Sequence, residues 1–396
     1  MKVWVIEPRD PLIARDGRPF GPVPGARAFT LAFPFPSTIA GAVRTRDGLD
    51  ASGRFQPAEI PRLKKIEVLG PLLVELDAGT GDIDRWLVPA PADALFFELV
   101  PSDFTKAAIR QLTPLQLPPG SHTNLPEDSL APVGMPDRDP RKPFSKTPAY
   151  WYWKLFEKWL VDPFDGDVQL VEVGHNGPVQ EVRMHASIRP DTQTADEEKG
   201  ALFQTRGLEF ACPVEDHADG GILSRVRRLG LAAAADAPNL KPGIAPLGGE
   251  RRLAFWRQSN QVLPSCPEAL KEKIAALGHC RLILLTPAHF GAGWKPSRLL
   301  EEWEGVRPYL QAAALKRHQT VSGWDLEGKG RRKPTRRLAP AGTVYFLKLN
   351  GDSAAIKRWV DSIWLTCVSD GEQDRRDGFG LAVTGVWDGN LHRMEV

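Results

Sequence analysis

Between residues 280 and 387 the apolar residues change their period in a fixed order, and that order restricts the fold more than any other feature of the chain. "CRLILLTP" (280–287) is a short continuous apolar run, the pattern of a buried strand. "PSRLLEEWEGVRPYLQAAALKR" (296–317) sets Leu299, Leu300 and Trp303 on one helical face, with Pro308 dividing it. "TVSGWDL" (320–326) and "GTVYFLKL" (342–349) alternate and are rich in β-branched or aromatic residues, so both read as strands. "DSAAIKRWVDSIWLTC" (352–367) repeats Ile356, Trp359, Val360, Ile363 and Trp364 at helical spacing behind Asp352, a natural N-cap. "LAVTGVW" (381–387) is a last strand. The sum is β-α-β-β-α-β, the ferredoxin-like order, with two helices on one face of a four-stranded antiparallel sheet.

The N-terminal part begins in the same way. "KVWVIEP" (2–8) is a strand, and "STIAGAVRTRDG" (37–48) is a helix with Ser37 as N-cap and Gly41 small enough for close approach. "KKIEVLGPLLVEL" (64–76) and "DRWLVPAP" (84–91) give two further strands. Residues 113–148 are proline-rich without periodicity and read as a long loop. "YWYWKLFEKWLVD" (150–162) is a compact aromatic helix, 180–190 and 201–210 are the arms of a hairpin, and 222–232 is another strand. The expected fold is therefore α+β: two ferredoxin-like (RRM-related, βαββαβ) domains over 1–240 and 241–396, the first with long insertions and a projecting β-hairpin.

The 396 residues suit two such domains. The four cysteines form no CxxC pair and read as reduced thiols. No signal-like segment and no membrane-length apolar run is present, so a cytoplasmic protein without a membrane partner is expected. A net charge of +2 is uninformative, but its distribution is not. Residues 316–337 hold eight cations (Lys316, Arg317, Lys329, Arg331, Arg332, Lys333, Arg336, Arg337) against Asp325 and Glu327, a net +6 that leaves −4 for the rest. Such a stretch fits neutralisation of phosphate, and its arginines suit forked contacts to phosphate and stacking on bases. A solvated loop is the alternative.

The second candidate site is "RRDGFGLAVTG" (375–385). Its glycine spacing fits neither a dinucleotide fingerprint nor a P-loop, and a strand follows instead of a helix, so no nucleotide cofactor is expected. Two readings remain: a turn into an edge strand, or a loop whose N–H groups meet phosphates beside Arg375 and Arg376, with Gly378, Phe379 and Gly380 at the contact. Arg44 and Arg46 in the last turn of the first helix, and Arg9, Arg15 and Arg18 before it, extend the basic set. Arg183, His185, Arg189 and Arg206 decorate the hairpin arms. Its acidic tip (Asp191, Asp196, Glu197, Glu198) matches no calcium loop, so no metal is expected. For acid–base chemistry on a ribose hydroxyl, His185 and His318 are the candidates, although no catalytic signature surrounds either.

Six blocks in order carry a family resemblance: "VWVIEPRDPLIARDGRPFG", "FPFPSTIAGAVRTR", "RMHASIRPDTQTADEEKGALFQTRGLEF", "LGGERRLAFW", "RRLAPAGTVYFLKL" and "DGFGLAVTGVW". Together they resemble the RAMP-superfamily subunit three of the type III-B (Cmr) CRISPR effector complex over nearly the full length. The resemblance implies two ferredoxin-like domains and a grip on the 5′ repeat-derived tag of the CRISPR RNA. It also implies docking onto the large palm-domain polymerase/cyclase subunit and the first backbone RAMP subunit. The glycine-rich loop then matches Gly378, Phe379, Gly380 and Gly385, the thumb hairpin matches 180–210, and the basic helix face matches Arg44 and Arg46. Catalysis is not implied, since cutting of target RNA belongs to other subunits. The alternatives are a guide-RNA-processing endoribonuclease and a pure protein–protein adaptor.

Overall fold

The structure, a computed structural model, describes residues 1–15, 25–101, 103–125, 130–196, 202–213, 226–325 and 331–394. It resolves into two compact units that interleave along the chain: 1–84, 177–261 and 320–336 form one, and 85–176, 262–319 and 337–396 the other. This division differs from a single break at 240, because 85–176 belongs with the C-terminal segments. Among the described residues, no helix is long and apolar enough to cross a membrane. All four cysteines are free, and burial pushes the Cys266 thiol up to about 12.

The first unit is built on β1 (Lys2–Pro8), α1 (Pro36–Asp47), β2 (Val68–Leu76), the hairpin β3 (Val179–Ala186) and β4 (Leu202–Glu209), β5 (Val226–Ala235) and β6 (Leu253–Gln258). Its sheet runs β2-β5-β1-β6, all antiparallel, with Val5 opposite Ala232 on one side and Arg257 on the other. The α1 helix supplies Ile39, Ala40 and Val43 to the core. Its N-cap is Phe35 rather than Ser37, and no side chain caps it: Pro36 occupies the first turn, where a missing N–H costs nothing. Gly41 is exposed and approaches no neighbour, contrary to the close packing expected of it. The stretch between β5 and β6 is a short strand, Gly243–Pro246, instead of a second crossover helix.

The second unit carries α2 (Trp153–Val161), α3 (Glu268–Leu277), β7 (His279–Leu284), β8 (Arg307–Ala314), β9 (Val344–Asn350), α4 (Ser353–Ile363) and β10 (Leu381–Val386). Its sheet order is β8-β9-β7-β10, and α2, α3 and α4 all pack against β10. Asp352 caps α4, its carboxylate accepting from the Ala355 N–H at 2.7 Å, and Ile356, Trp359, Val360 and Ile363 are buried. The helix expected over 296–317 is not formed. Residues 298–300 make one 3₁₀ turn and 307–314 are β8, an edge strand that accommodates Pro308 and carries a bulge between Leu310 and Ala312. The crossover position between β7 and β8 is therefore a loop, and α3 precedes the sheet instead.

Thr113–Gln116 pairs with Val133–Gly134 and with the C-terminal strand His392–Arg393, and the Ala131 N–H reaches the Gln311 carbonyl of β8 at 2.9 Å. A buried ion pair ties 85–176 to the sheet. The Arg281 guanidinium on β7 donates to Asp93 and to the Trp159 carbonyl (each 2.5 Å) and to the Val386 carbonyl (2.9 Å). Asp93 also accepts from the Trp159 indole at 3.2 Å. Both charged side chains are fully buried. Gly385, opposite Arg281, lies in β10 rather than in a loop; a Cβ there would meet Leu160 of α2 and Arg281, each at 3.2 Å.

Candidate nucleic-acid interface

The glycine corner is turned inward. Phe379 is fully buried, so its assignment as an RNA contact is corrected: the ring belongs to the hydrophobic core. Gly378 and Gly380 have φ of 93° and 84°, values that favour glycine, and they fold the chain around that ring. The Gly378 carbonyl accepts from Thr286, the Gly380 N–H donates to the Pro287 carbonyl, and the Phe379 carbonyl accepts from Ser369. A Cβ on Gly380 would stand 2.8 Å from the Ser369 nitrogen. Arg375 donates to the carbonyls of Ser369 and Asp370, and burial, with Arg298 nearby, holds it below its ordinary value. Arg376 pairs with Glu372 at 2.5 Å.

The amide cluster beside this corner already holds an anion. The Asp370 carboxylate accepts from the backbone N–H groups of Gly291, Ser297 and Arg298 at 2.8–3.0 Å. In the same loop the His289 ring nitrogen Nδ1 lies 2.8 Å from Asp374, and its backbone N–H donates to Ser369. Sequence reasoning missed this His–Asp pair. The signal available was "HFGAGW" (289–294), a glycine-rich run placed directly after a buried strand.

The basic residues divide by surroundings. Arg44 donates to the Ile66 carbonyl at 2.8 Å; Arg46 donates to the Lys241 carbonyl and lies 5.1 Å from the Trp256 ring, and its burial holds its pKa down. Arg206 sits 4.8 Å from the Phe29 ring. These three spend their guanidinium groups on the fold of the first unit. On the hairpin, Arg183 forks onto Glu181 (2.8 and 3.1 Å), and Arg189 lies 3.6 Å from Asp196. His185 contacts the Thr205 hydroxyl at 2.8 Å and stacks on Phe203 at 5.0 Å. Val182, Met184, Ile188 and Leu202 are exposed along the same hairpin. Arg15 is exposed, its stem passing the backbone of Gly249.

In 316–337, Lys316, Arg317, His318, Lys333 and Arg337 are exposed, and Arg336 is half-buried. Arg331 and Arg332 lie in a short strand paired with Trp324–Asp325, and the Lys333 N–H reaches the Gly323 carbonyl at 2.7 Å. Arg18 and Lys329 lie outside the described residues. Lys316, Arg317, Lys333 and Arg337 thus lie at the surface, whereas Phe379 of the glycine corner is in the core of the second unit. Among the described residues, no cluster of three or more His, Cys, Asp or Glu side chains could hold a metal ion.

The class of the chain is that of the CRISPR-associated proteins. The family model described as "CRISPR-associated protein (Cas_Cmr3)" matches residues 4–387, and the chain belongs to that family. No curated protein matches it. Among solved structures, a chain of the type III-B Cmr-beta complex bound to cognate target RNA is 14% identical, with 87% of this chain and 86% of that one covered and a TM-score of 0.45. A chain of the same complex with target RNA and AMPPnP is 16% identical, with 91% and 88% covered and a TM-score of 0.44. A chain of the Csm3–Csm4 subcomplex of a type III-A interference complex is 11% identical, with 89% and 94% covered and a TM-score of 0.34.

Proposed function

We propose that this chain is a non-catalytic CRISPR RNA-binding subunit of a cytoplasmic type III-B effector, gripping the 5′ tag and docking the large palm-domain subunit and the first backbone RAMP subunit. Its two interleaved units, rather than halves divided at 240, derive from ferredoxin-like domains, and each keeps a four-stranded antiparallel core. The observation that carries the reading is the family match over 4–387. Its physical support is the exposure of Lys316, Arg317 and Lys333, and no described acid neutralises Lys316 or Arg317. RNA contact there would release counterions, so affinity would fall with salt.

The test is titration of guide RNA with the full chain at several salt concentrations. Replacing Lys316, Arg317 and Lys333 with Ala should flatten the slope of log affinity on log salt by about 0.7 per lost phosphate contact. An unchanged slope removes those residues from the interface.

The second reading is a guide-RNA-processing endoribonuclease, and the observation favouring it is the His289–Asp374 pair, an imidazole oriented by a carboxylate at a half-exposed position. Metal-independent cleavage of repeat RNA by the purified protein, lost in His289→Ala, would replace the binding reading with this one.

A further inference from the structure

A pocket of about 600 Å³ opens in the second unit, within the usual size of a built binding site. Leu130 and Leu338 are buried at its base, and Trp294 and Leu315 form its sides. His318 and Arg337 are exposed at its mouth. Among the described residues, no acid lines it, and Arg337 has no ion-pair partner. Its walls are held by backbone bonds: Ala131 to Gln311 at 2.9 Å, Leu115 to Pro132 at 2.8 Å, and Ala288 with Ala339 at 2.9 Å in both directions. The Tyr345 hydroxyl fixes the Trp294 carbonyl at 2.6 Å.

We infer that this pocket docks a protein partner through an acidic segment that inserts one large apolar side chain. This rests on the proposed place of the chain in a multi-subunit effector and adds the chemistry of one contact. The lining decides between protein and nucleic acid. A nucleobase carries donors and acceptors around its rim, and a base pushed against Leu130, Leu338 and Ala339 would leave them unpaired at a cost of several hydrogen bonds. A leucine- or phenylalanine-like side chain has no such cost and fills a rigid apolar site as an interface anchor does. The cationic mouth then selects carboxylates beside the anchor and steers their approach.

The test places a photo-crosslinking residue at Leu315 of the full-length chain. The complex is assembled from purified large palm-domain subunit, backbone RAMP subunits and guide RNA. An adduct to a subunit peptide with an apolar side chain next to Asp or Glu is expected. An adduct to RNA with none to protein, an adduct to a segment without acids, or no adduct in an assembled complex overturns the inference. In parallel, Leu315→Asp and Arg337→Glu should each weaken association with that subunit about tenfold, with unchanged melting of the isolated chain. Association within twofold of the unaltered chain for both variants refutes the docking site while leaving the RNA-binding role standing. If the unaltered chain joins none of these subunits, the effector role and the docking site fall together.

Discussion

Replacing Asp93 with Ala should destabilise the second unit far more than an ordinary substitution of a polar residue. The carboxylate is fully buried and shared between the Arg281 guanidinium and the Trp159 indole N–H. Removing it leaves a guanidinium with two backbone acceptors, Trp159 and Val386, and no counter-charge. Breaking a buried pair from one side costs about 3–5 kcal/mol, because the remaining charge stays desolvated. Replacing both partners together, as Asp93→Leu with Arg281→Met, removes that charge, and its cost should be far smaller. The assay is hydrogen exchange by mass spectrometry across α2, β7 and β10, with urea unfolding as the global measure. Local exchange is needed because a chain with two units need not unfold in one step. In Asp93→Ala, protection should fall in 153–161, 279–284 and 381–386 and persist in β1 and β5 of the first unit. A loss below about 1 kcal/mol, or a double variant as damaged as the single, would refute the reasoning, since both would mean the pair carries no uncompensated charge when broken.

Three further outcomes follow from named contacts. Phe379→Ala should cost about 3–5 kcal/mol in stability, as for a fully buried ring, while the folded protein keeps its affinity for guide RNA; weakened RNA binding at unchanged stability would return the ring to the interface. Gly380→Ala should also destabilise, by about 1–3 kcal/mol, because a Cβ is disfavoured at φ 84° and collides with Ser369, and a thermal melt checks it. Asp139, hydrogen-bonded first by Arg141 and also by Arg110, is held well below the usual carboxylate range. Its contribution is thus complete above the ordinary carboxylate pKa and is lost as pH falls through the lower folded value. Asp139→Asn should be less stable than the unaltered chain at pH 7, with the difference narrowing below about pH 4; a constant gap from pH 7 to pH 2 would show that the charge is not responsible.

Where one periodicity dominated a segment, the sequence was readable. β7, β9, β10 and α4 all lie where their apolar patterns place them, and Asp352 caps as its position predicts. The segment 296–317 failed for a physical reason. "QAAALKR" has high helix propensity, but 311–314 belong to β8, which pairs with β9 at seven positions, and tertiary pairing outweighs a preference of a few tenths of a kcal/mol per residue. Gly305 and Pro308 were the contrary signal, since both interrupt a helix and Pro308 fits an edge strand. The ownership of 85–176 was not legible at all, because it depends on Asp93 meeting Arg281 across 188 positions of chain.

The candidate site shows the same limit in a different form. A glycine beside an arginine advertises phosphate only if its N–H groups and charges face solvent, and sequence does not report facing. Here the carbonyls of Ser369 and Asp370 take Arg375, Asp370 takes the amides that a phosphate would need, and the ring between the glycines is core. Arg44, Arg46 and Arg206 are likewise spent on carbonyls or aromatic rings of their own unit. Arginine serves both purposes because its flat fork satisfies buried carbonyls as readily as phosphate oxygens. Lysine keeps a compact, strongly hydrated charge that is costly to bury, so Lys316 and Lys333, both exposed, keep charges that stay available to a polyanion. The proposed RNA contact therefore rests on the exposed Lys316, Arg317 and Lys333, and the glycine corner belongs to the core of the second unit.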